Sequence, residues 1–190
     1  PINYSVVTNI DNEHLDYYKS YKNLRQSFTK FINKTPPIGK SILCLDNPEI
    51  KKILKKIKIK NYLTYGFTEK SNYKITNIKY GLNTKFDLKV QSLNYDKKII
   101  KNIILNLIGK HNVLNATASI AVCLDLGIKV EIIKKAMKNF SGVQRRLTKI
   151  FTKNKKEFYD DYAHHPTEIN SVLDGLKQVY KSRKIISVFQ

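Results

Sequence analysis

The order in which strand and helix patterns follow one another constrains the fold of this chain more than any other feature. Residues 4–10 form a short β-branched run that predicts a buried strand, and residues 15–32 then repeat apolar side chains at helical spacing. Residues 41–45 predict a second buried strand, and Pro48 stands in the favoured first turn of a second helix. This β-α-β-α order predicts an α/β fold built on a parallel sheet.

The middle of the chain has a different pattern. Polar and apolar residues alternate over residues 62–108, with turn signals at Thr84 and over residues 94–96. This alternation predicts a section of antiparallel strands. Two consecutive helices are then predicted over residues 113–126 and 130–140.

A boundary is predicted at Gly142 and the basic residues 144–146. Beyond it the α/β alternation restarts with a strand over residues 157–162, a helix over residues 166–180 and a strand over residues 185–189. We therefore expect one domain over residues 1–142 and the beginning of a second over residues 143–190.

The net charge of +20 raises the question of an anionic partner. Only four of the 35 basic residues are arginine, which is the residue that contacts bases and phosphates in bidentate fashion. We interpret the charge as a lysine-rich surface and expect no nucleic-acid partner; a non-catalytic basic module that binds nucleic acid is the alternative.

The longest apolar stretch, residues 99–108, is interrupted by Lys101, Asn102 and Asn106, so no membrane partner is expected.

The two cysteines indicate the redox compartment of the protein. Cys44 and Cys123 each lie inside an apolar run, which is typical of small core residues in a reducing, cytoplasmic compartment.

The chain opens on Pro1 without an initiator Met, and its last predicted strand has no helix after it. We expect it to be a piece of a longer protein.

Three polar clusters stand where a strand is followed by a helix, the position at which open α/β sheets bind ligands. The first comprises Asp11, Glu13, His14 and Asp16. A histidine beside carboxylates suits a divalent ion that is also bound by phosphates. The alternative is a polar helix start whose acids are favoured by the helix dipole.

The second cluster is His111, Asn112 and Asn115 at the start of a predicted helix. Asparagine and histidine offer paired donors and acceptors of the kind that bind a purine edge. The alternative is a helix cap made by His111 or Asn112, with Asn115 exposed on the first turn.

The third cluster is the run Asp160, Asp161, His164 and His165 before Pro166. Such residues could bind ribose hydroxyls, orient phosphates or ligate a metal, and the alternative is a capped helix. The adjacent pair of arginines at residues 145–146 could reach a polyphosphate, or could be an ordinary surface pair.

In this order the segments VTNIDNEHLDYY, GKHNVLNATASIAVCLDLGI, FSGVQRR and DDYAHHPTEI closely resemble the Mur ligases, the ATP-dependent amide-forming enzymes of peptidoglycan synthesis. The resemblance covers nearly the whole chain. It implies the second half of a central ATPase domain followed by the beginning of a Rossmann-like C-terminal domain. The family's phosphate loop, GxxGKT, is absent from these residues, so we expect the chain alone to be inactive.

The resemblance also implies substrates. The motif sequences are most like those of the members that join L-alanine to the lactyl carboxylate of UDP-N-acetylmuramate through an acyl phosphate. The alternative is the relative that attaches a recycled murein tripeptide to the same nucleotide sugar.

By the family's motifs, each candidate side chain acquires an expected role: His14 as a Mg²⁺ ligand, His111, Asn112 and Asn115 around adenine, Arg146 near the ATP phosphates, Asp161 at the ribose, and His164 and His165 as catalytic residues near the reacting substrates. The family usually follows its two arginines with Phe and an acid, whereas this chain has Leu147 and Thr148, which leaves the role of Arg145 open. If Arg146 and Asp161 face His111 and Asn115 across a hinge, ATP would be clamped between two domains.

Overall fold

The computed structural model describes residues 3–92 and 95–188, and a six-stranded sheet organises most of them. The strands lie in chain order across the sheet: β1 (Tyr4–Val7), β2 (Lys40–Cys44), β3 (Tyr62–Gly66), β4 (Tyr73–Lys79), β5 (Thr84–Ser92) and β6 (Tyr95–Leu105). Neighbours from β1 to β4 pair in parallel, and β4, β5 and β6 pair antiparallel. A separate two-stranded sheet contains β7 (Thr148–Lys153) and β8 (Lys156–Asp160).

Six helices accompany these strands in the described part of the chain: α1 (Leu15–Tyr18), α2 (Tyr21–Asn33), α3 (Pro48–Leu54), α4 (Lys110–Asp125), α5 (Val130–Asn139) and α6 (Pro166–Val179). Helix α4 packs on β2 and β3, and α5 packs on β6. Because β2 is an interior strand, four of its five residues are buried, and Ile42 and Leu43 are fully inaccessible. None of the helices in the described residues is both long and apolar enough to cross a membrane.

The predicted mixed fold, a parallel sheet with helices followed by an antiparallel section, is confirmed. The antiparallel section begins later than predicted, because β3 pairs in parallel with β2. Its residues 63–66 are all buried, so this strand has no true alternation of exposed and buried side chains. Of the two turn signals, Thr84 is the first residue of β5, and Asn94 lies outside the described residues.

The single helix predicted over residues 15–32 is instead two helices. Lys19 takes a left-handed backbone conformation with φ of 63°, which ends α1. Ser20 then caps α2, because its side chain accepts a hydrogen bond from the backbone N–H of Asn23. The apolar spacing continues through this break, which is why periodicity alone did not reveal it.

Two differences lie near the C-terminal end. Strand β7 was not predicted, because five of its six side chains are exposed and show no buried face. Residues 185–188 were predicted as a strand but have no regular structure, since no strand among the described residues pairs with them; Phe189 lies outside the described residues. The boundary at residue 142 stays a prediction.

Candidate functional site

A cleft of about 720 Å³ opens where β1 ends, and we refer to it below as the cleft. One wall is formed by the segment after β1 and the first turns of α4; the other is formed by the segment before β7 and the first turns of α6. Six of the eight side chains to which the sequence analysis gave an expected role line it: His14, His111, Asn112, Asn115, Arg146 and Asp161. The fold therefore brings residues more than 140 positions apart to one place.

His14 stands at the start of α1, on the wall that follows β1. Its backbone has φ of 56°, and its carbonyl accepts hydrogen bonds from the N–H groups of Tyr17 and Tyr18. A left-handed conformation is unusual for a residue with a side chain and is found disproportionately at functional sites. The imidazole is exposed at the cleft.

The donors around His14 suit a metal ion that needs few protein ligands. Asp11 and Glu13 line the cleft beside it. No group of three or more His, Cys, Asp or Glu side chains among the described residues is arranged to hold a metal by itself. A Mg²⁺ ion bound largely by phosphates and water fits this donor set better than zinc, which takes three or four protein ligands.

The start of α4 presents the second cluster. Gly109 has φ of 95° and precedes the helix, so neither His111 nor Asn112 is the capping residue. The Asn112 amide donates to the carbonyl of Ile108 at 2.8 Å, and Asn115 is exposed on the cleft. Both asparagines line the cleft, and the hydrogen bond to Ile108 leaves the side-chain oxygen of Asn112 available as an acceptor.

His111 is partly buried at the bottom of this cluster, and its Nδ1 atom has no hydrogen-bond partner among the described residues. Burial lowers the pKa of His111; the nearby Arg146 lowers it further, and Asp161 opposes both. The imidazole is therefore neutral at pH 7 and offers one donor and one acceptor nitrogen.

Asp161 holds two loops together at the other wall. Its Oδ2 accepts from the backbone N–H of Leu147 and its Oδ1 from that of Ala163, both at 2.7 Å. Each carboxylate oxygen keeps a second lone pair for a hydroxyl donor. The side chain is therefore both a structural clamp and a preformed acceptor on the cleft.

The two arginines point to different partners. Arg146 lies on the cleft, with Nη1 3.3 Å from Oε1 of Glu168. The Nε atom of Arg145 is 3.6 Å from Oδ2 of Asp160, and its guanidinium lies 4.7 Å from the ring centre of Tyr162. Arg145 therefore has an acidic partner despite Thr148, and it is not among the residues that line the cleft.

Neither histidine of the third cluster lines the cleft. His164 has a side chain that is 73% exposed, with Nδ1 3.7 Å from Oε2 of Glu168. His165 lies at the edge of the cleft, with Nδ1 3.5 Å from Oε1 of Glu13 and 3.9 Å from Oδ2 of Asp11. Their assignment as catalytic residues stays a prediction.

Sequence reasoning missed Glu168, which lines the cleft and contacts both Arg146 and His164. Burial alone would raise the pKa of Glu168, but the His164 backbone N–H and the Arg146 guanidinium outweigh it and lower the pKa. The sequence signal for Glu168 was its place in the first helical turn after Pro166, where the helix dipole stabilises acidic side chains.

Two models of known protein domains match most of this chain. A model of the Mur ligase middle domain matches residues 1–123, and a model of the Mur ligase glutamate ligase domain matches residues 145–190. The chain is 50% identical over 191 residues to UDP-N-acetylmuramate–L-alanine ligase from Pelagibacter ubique, covering all of this chain and 41% of that relative.

Solved structures agree in fold. The UDP-N-acetylmuramate-alanine ligase MurC from Thermotoga maritima is 26% identical, with a TM-score of 0.73 over 95% of this chain and 39% of that one. The MurF ligase from Thermotoga maritima in complex with ADP is 19% identical, with a TM-score of 0.74 over 94% of this chain and 40% of that one. The chain thus spans about two fifths of its relatives' length. Both family matches and these likenesses lead to one conclusion: the chain belongs to the Mur ligase family.

Proposed function

We propose that the protein carrying this chain is an ATP-dependent ligase that joins L-alanine to the lactyl carboxylate of UDP-N-acetylmuramate. The observation that carries the proposal is the meeting of His14, Asn115, Arg146 and Asp161 in one cleft. The 50% identity to a ligase of that name supports the choice of substrates. The reaction would take place in the cytoplasm, as part of peptidoglycan precursor synthesis.

The chemistry proposed is phosphoryl transfer followed by amide formation. The lactyl carboxylate attacks the γ-phosphate of ATP, giving an acyl phosphate and ADP; the amine of L-alanine then attacks the acyl carbon and releases inorganic phosphate. Phosphoryl transfer depends mainly on positioning and on neutralising charge. The residues of this chain would serve those two needs, and no protein nucleophile is required.

Each wall of the cleft has a distinct part in the proposal. Asn112 and Asn115 offer amide groups to adenine, and neutral His111 lies beneath them. Asp161 would accept from a ribose hydroxyl, and Arg146 would turn from Glu168 toward the phosphates. Mg²⁺ bound at His14 would neutralise phosphate charge when present. His165, at the edge of the cleft, would lie nearest the reacting groups.

The proposal is tested by ADP release from the protein expressed from its complete reading frame, with UDP-N-acetylmuramate and Mg²⁺. L-Alanine, glycine, L-serine and the murein tripeptide are supplied separately. Release that depends on L-alanine is the expected result. Release only with the tripeptide would assign the protein to the recycling reaction, and the absence of release with every amine, from folded protein, would refute the ligase function.

A further inference from the structure

The two walls of the cleft meet at two contacts that lie at different points along α6. At its start, His165 reaches across to the segment after β1, with Nδ1 between the carboxylates of Glu13 and Asp11 at 3.5 and 3.9 Å. Its side chain is only 23% exposed, and Nδ1 has no hydrogen-bond partner among the described residues. This contact joins the part of the chain matched by the middle-domain model to the part matched by the C-terminal model.

The second contact is made by a glycine in the interior of α6. Gly175 is buried, and a Cβ atom placed on it would lie 3.0 Å from Cα of Gly109, 3.2 Å from Cγ2 of Ile108 and 3.4 Å from the Gly109 nitrogen. The backbone of α6 therefore rests directly on the turn that begins α4. Glycine is an unfavourable residue inside a helix, so its position here calls for a packing reason.

These contacts determine how far apart the walls of the cleft stand. His165 and Gly175 are ten residues apart, about 15 Å along a helix. Two contacts at that separation, one with the segment after β1 and one with the start of α4, hold both the distance and the tilt of α6 relative to the opposite wall. Glu168 on α6 and Asn115 on α4 face the cleft from these two helices, so their separation follows from the same two contacts.

We propose that Gly175 and His165 are positioning residues that set the closed geometry of the nucleotide cleft. The absent side chain of Gly175 lets α6 approach the first turn of α4, and His165 anchors the start of α6 between Glu13 and Asp11. The inference rests on the proposed function, since it assumes that ATP is held between these walls. Neither residue needs to touch the nucleotide for this role.

Gly175→Ala tests the second contact, in the interior of α6, in the protein expressed from its complete reading frame. We expect the affinity for a non-hydrolysable ATP analogue, measured by calorimetry, to fall about tenfold, because the added Cβ pushes α6 away from Gly109. The thermal midpoint should change little, because the better helix propensity of alanine and the crowding against Gly109 act in opposite directions. Unchanged affinity for the analogue, with an equal or higher thermal midpoint, would show that Gly175 has no role in positioning α6. That result would overturn the proposal.

Gly81→Ala is the matched control for the added methyl group. Its new Cβ would be 3.7 Å from the nearest atom, the Asn83 carbonyl oxygen, and its backbone is not left-handed. We expect no change in the affinity for the analogue. A loss equal to that of Gly175→Ala would show that the effect is not specific to the contact with Gly109.

His165→Ala and His165→Asn test the first contact, at the start of α6. Alanine should raise the KM for ATP, while asparagine, whose amide N–H can stand where Nδ1 stands, should restore most of the wild-type value. Equal defects in both variants, or no defect in either, would overturn the anchoring role. Calorimetry needs no turnover, so the binding test is independent of the ligase assay. Wild-type protein that binds the analogue but releases no ADP would refute the proposed ligase function, and the affinities of the wild type and Gly175→Ala could still be compared.

Discussion

Two candidate ligand-binding side chains are held by hydrogen bonds to the backbone. Asp161 accepts two backbone N–H groups, and Asn112 donates to a backbone carbonyl. Such contacts hold the side chains in place, so less conformational entropy is lost when a ligand binds. Asp161 and Asn112 therefore have a structural role beside the ligand-binding role proposed for them.

Asp161→Ala should affect stability and binding together. Loss of the carboxylate leaves the N–H groups of Leu147 and Ala163 without their acceptor, which we expect to cost about 1–3 kcal/mol of unfolding free energy. The affinity for an ATP analogue should fall as well. Chemical denaturation and calorimetry measure the two effects. Asp160→Asn is the control, since the Asp160 side chain pairs with the exposed Arg145 side chain across 3.6 Å and is not among the residues that line the cleft; an equal loss of affinity in that variant would argue against the assignment of Asp161.

Glu157 provides a test of pH dependence away from the cleft. Hydrogen bonds from the hydroxyls of Tyr159 and Tyr180 lower the pKa of Glu157 from 4.5 to about 2. Because the folded state holds the proton less tightly than the unfolded state, the stabilisation is present above pH 4.5 and is lost as the pH falls toward 2. Glu157→Gln should therefore lower the thermal midpoint at pH 6 and not at pH 2. Tyr180→Phe should give a smaller decrease at pH 6, and a pH-independent effect of Glu157→Gln would contradict the prediction.

At the level of the elements, short loops after the parallel strands position the start of α4. Asp46, just after β2, accepts hydrogen bonds from the backbone N–H groups of Phe67 and Thr68 and from the Thr68 hydroxyl. The Phe67 ring in turn lies 4.9 Å from Nζ of Lys110, the first residue of α4. The loop after β3 is therefore tied both to β2 and to the helix that carries His111 and Asn115.

Gly66→Ala should disrupt this arrangement. Gly66 has φ of 148°, and a Cβ atom there would lie 2.6 Å from Oδ1 of Asp46. We expect a loss of about 1–3 kcal/mol in unfolding free energy, from backbone strain and from displacement of the Asp46 carboxylate. Denaturant titration measures it, with Gly81→Ala as the uncrowded control. Equal stability of the two variants would show that the loop adjusts without cost.

On the scale of the whole molecule, one network connects the beginning of the chain to the end of α4. The Asp125 carboxylate accepts from the Tyr4 hydroxyl at 2.6 Å and pairs with the Lys40 ammonium. Tyr4 begins β1, Lys40 begins β2, and Asp125 ends α4, so the network lies at the opposite end of the sheet from the cleft. It fixes α4 at its C-terminal end, while the contacts with Phe67 and Gly175 act at its N-terminal end.

Asp125→Ala should destabilise the protein as a whole. The Asp125 and Lys40 side chains are 6% and 16% exposed, and removing one partner of such a pair costs about 3–5 kcal/mol when the other charge stays buried. Urea titration checks this. Glu69→Gln is the control, because the Glu69 side chain in its pair with Lys74 is 82% exposed, and we expect no measurable change there. Similar losses in both variants would show that burial does not decide the effect.

Local pattern was sufficient for much of this molecule. The β-α-β order requires parallel neighbours, and the helix starts at residues 48 and 166 follow from prolines that suit a first turn. The motif order also identified His14, His111, Asn115, Arg146 and Asp161, which all reach the cleft. The inferences about strands and helices depend on backbone preferences that act within a few positions of the chain, whereas the site residues were identified from the resemblance of the ordered motifs to a family.

What the sequence by itself determined was therefore the order and type of most elements and the chemistry at the ends of the strands. Only the tertiary structure decided that β3 is parallel, that His164 is exposed while His165 contacts Glu13, and that Gly175 meets Gly109. The physical reason is that pairing direction, burial and close approach arise between segments tens of residues apart. Such contacts depend on where the whole chain places each segment, and neither periodicity nor residue type specifies that.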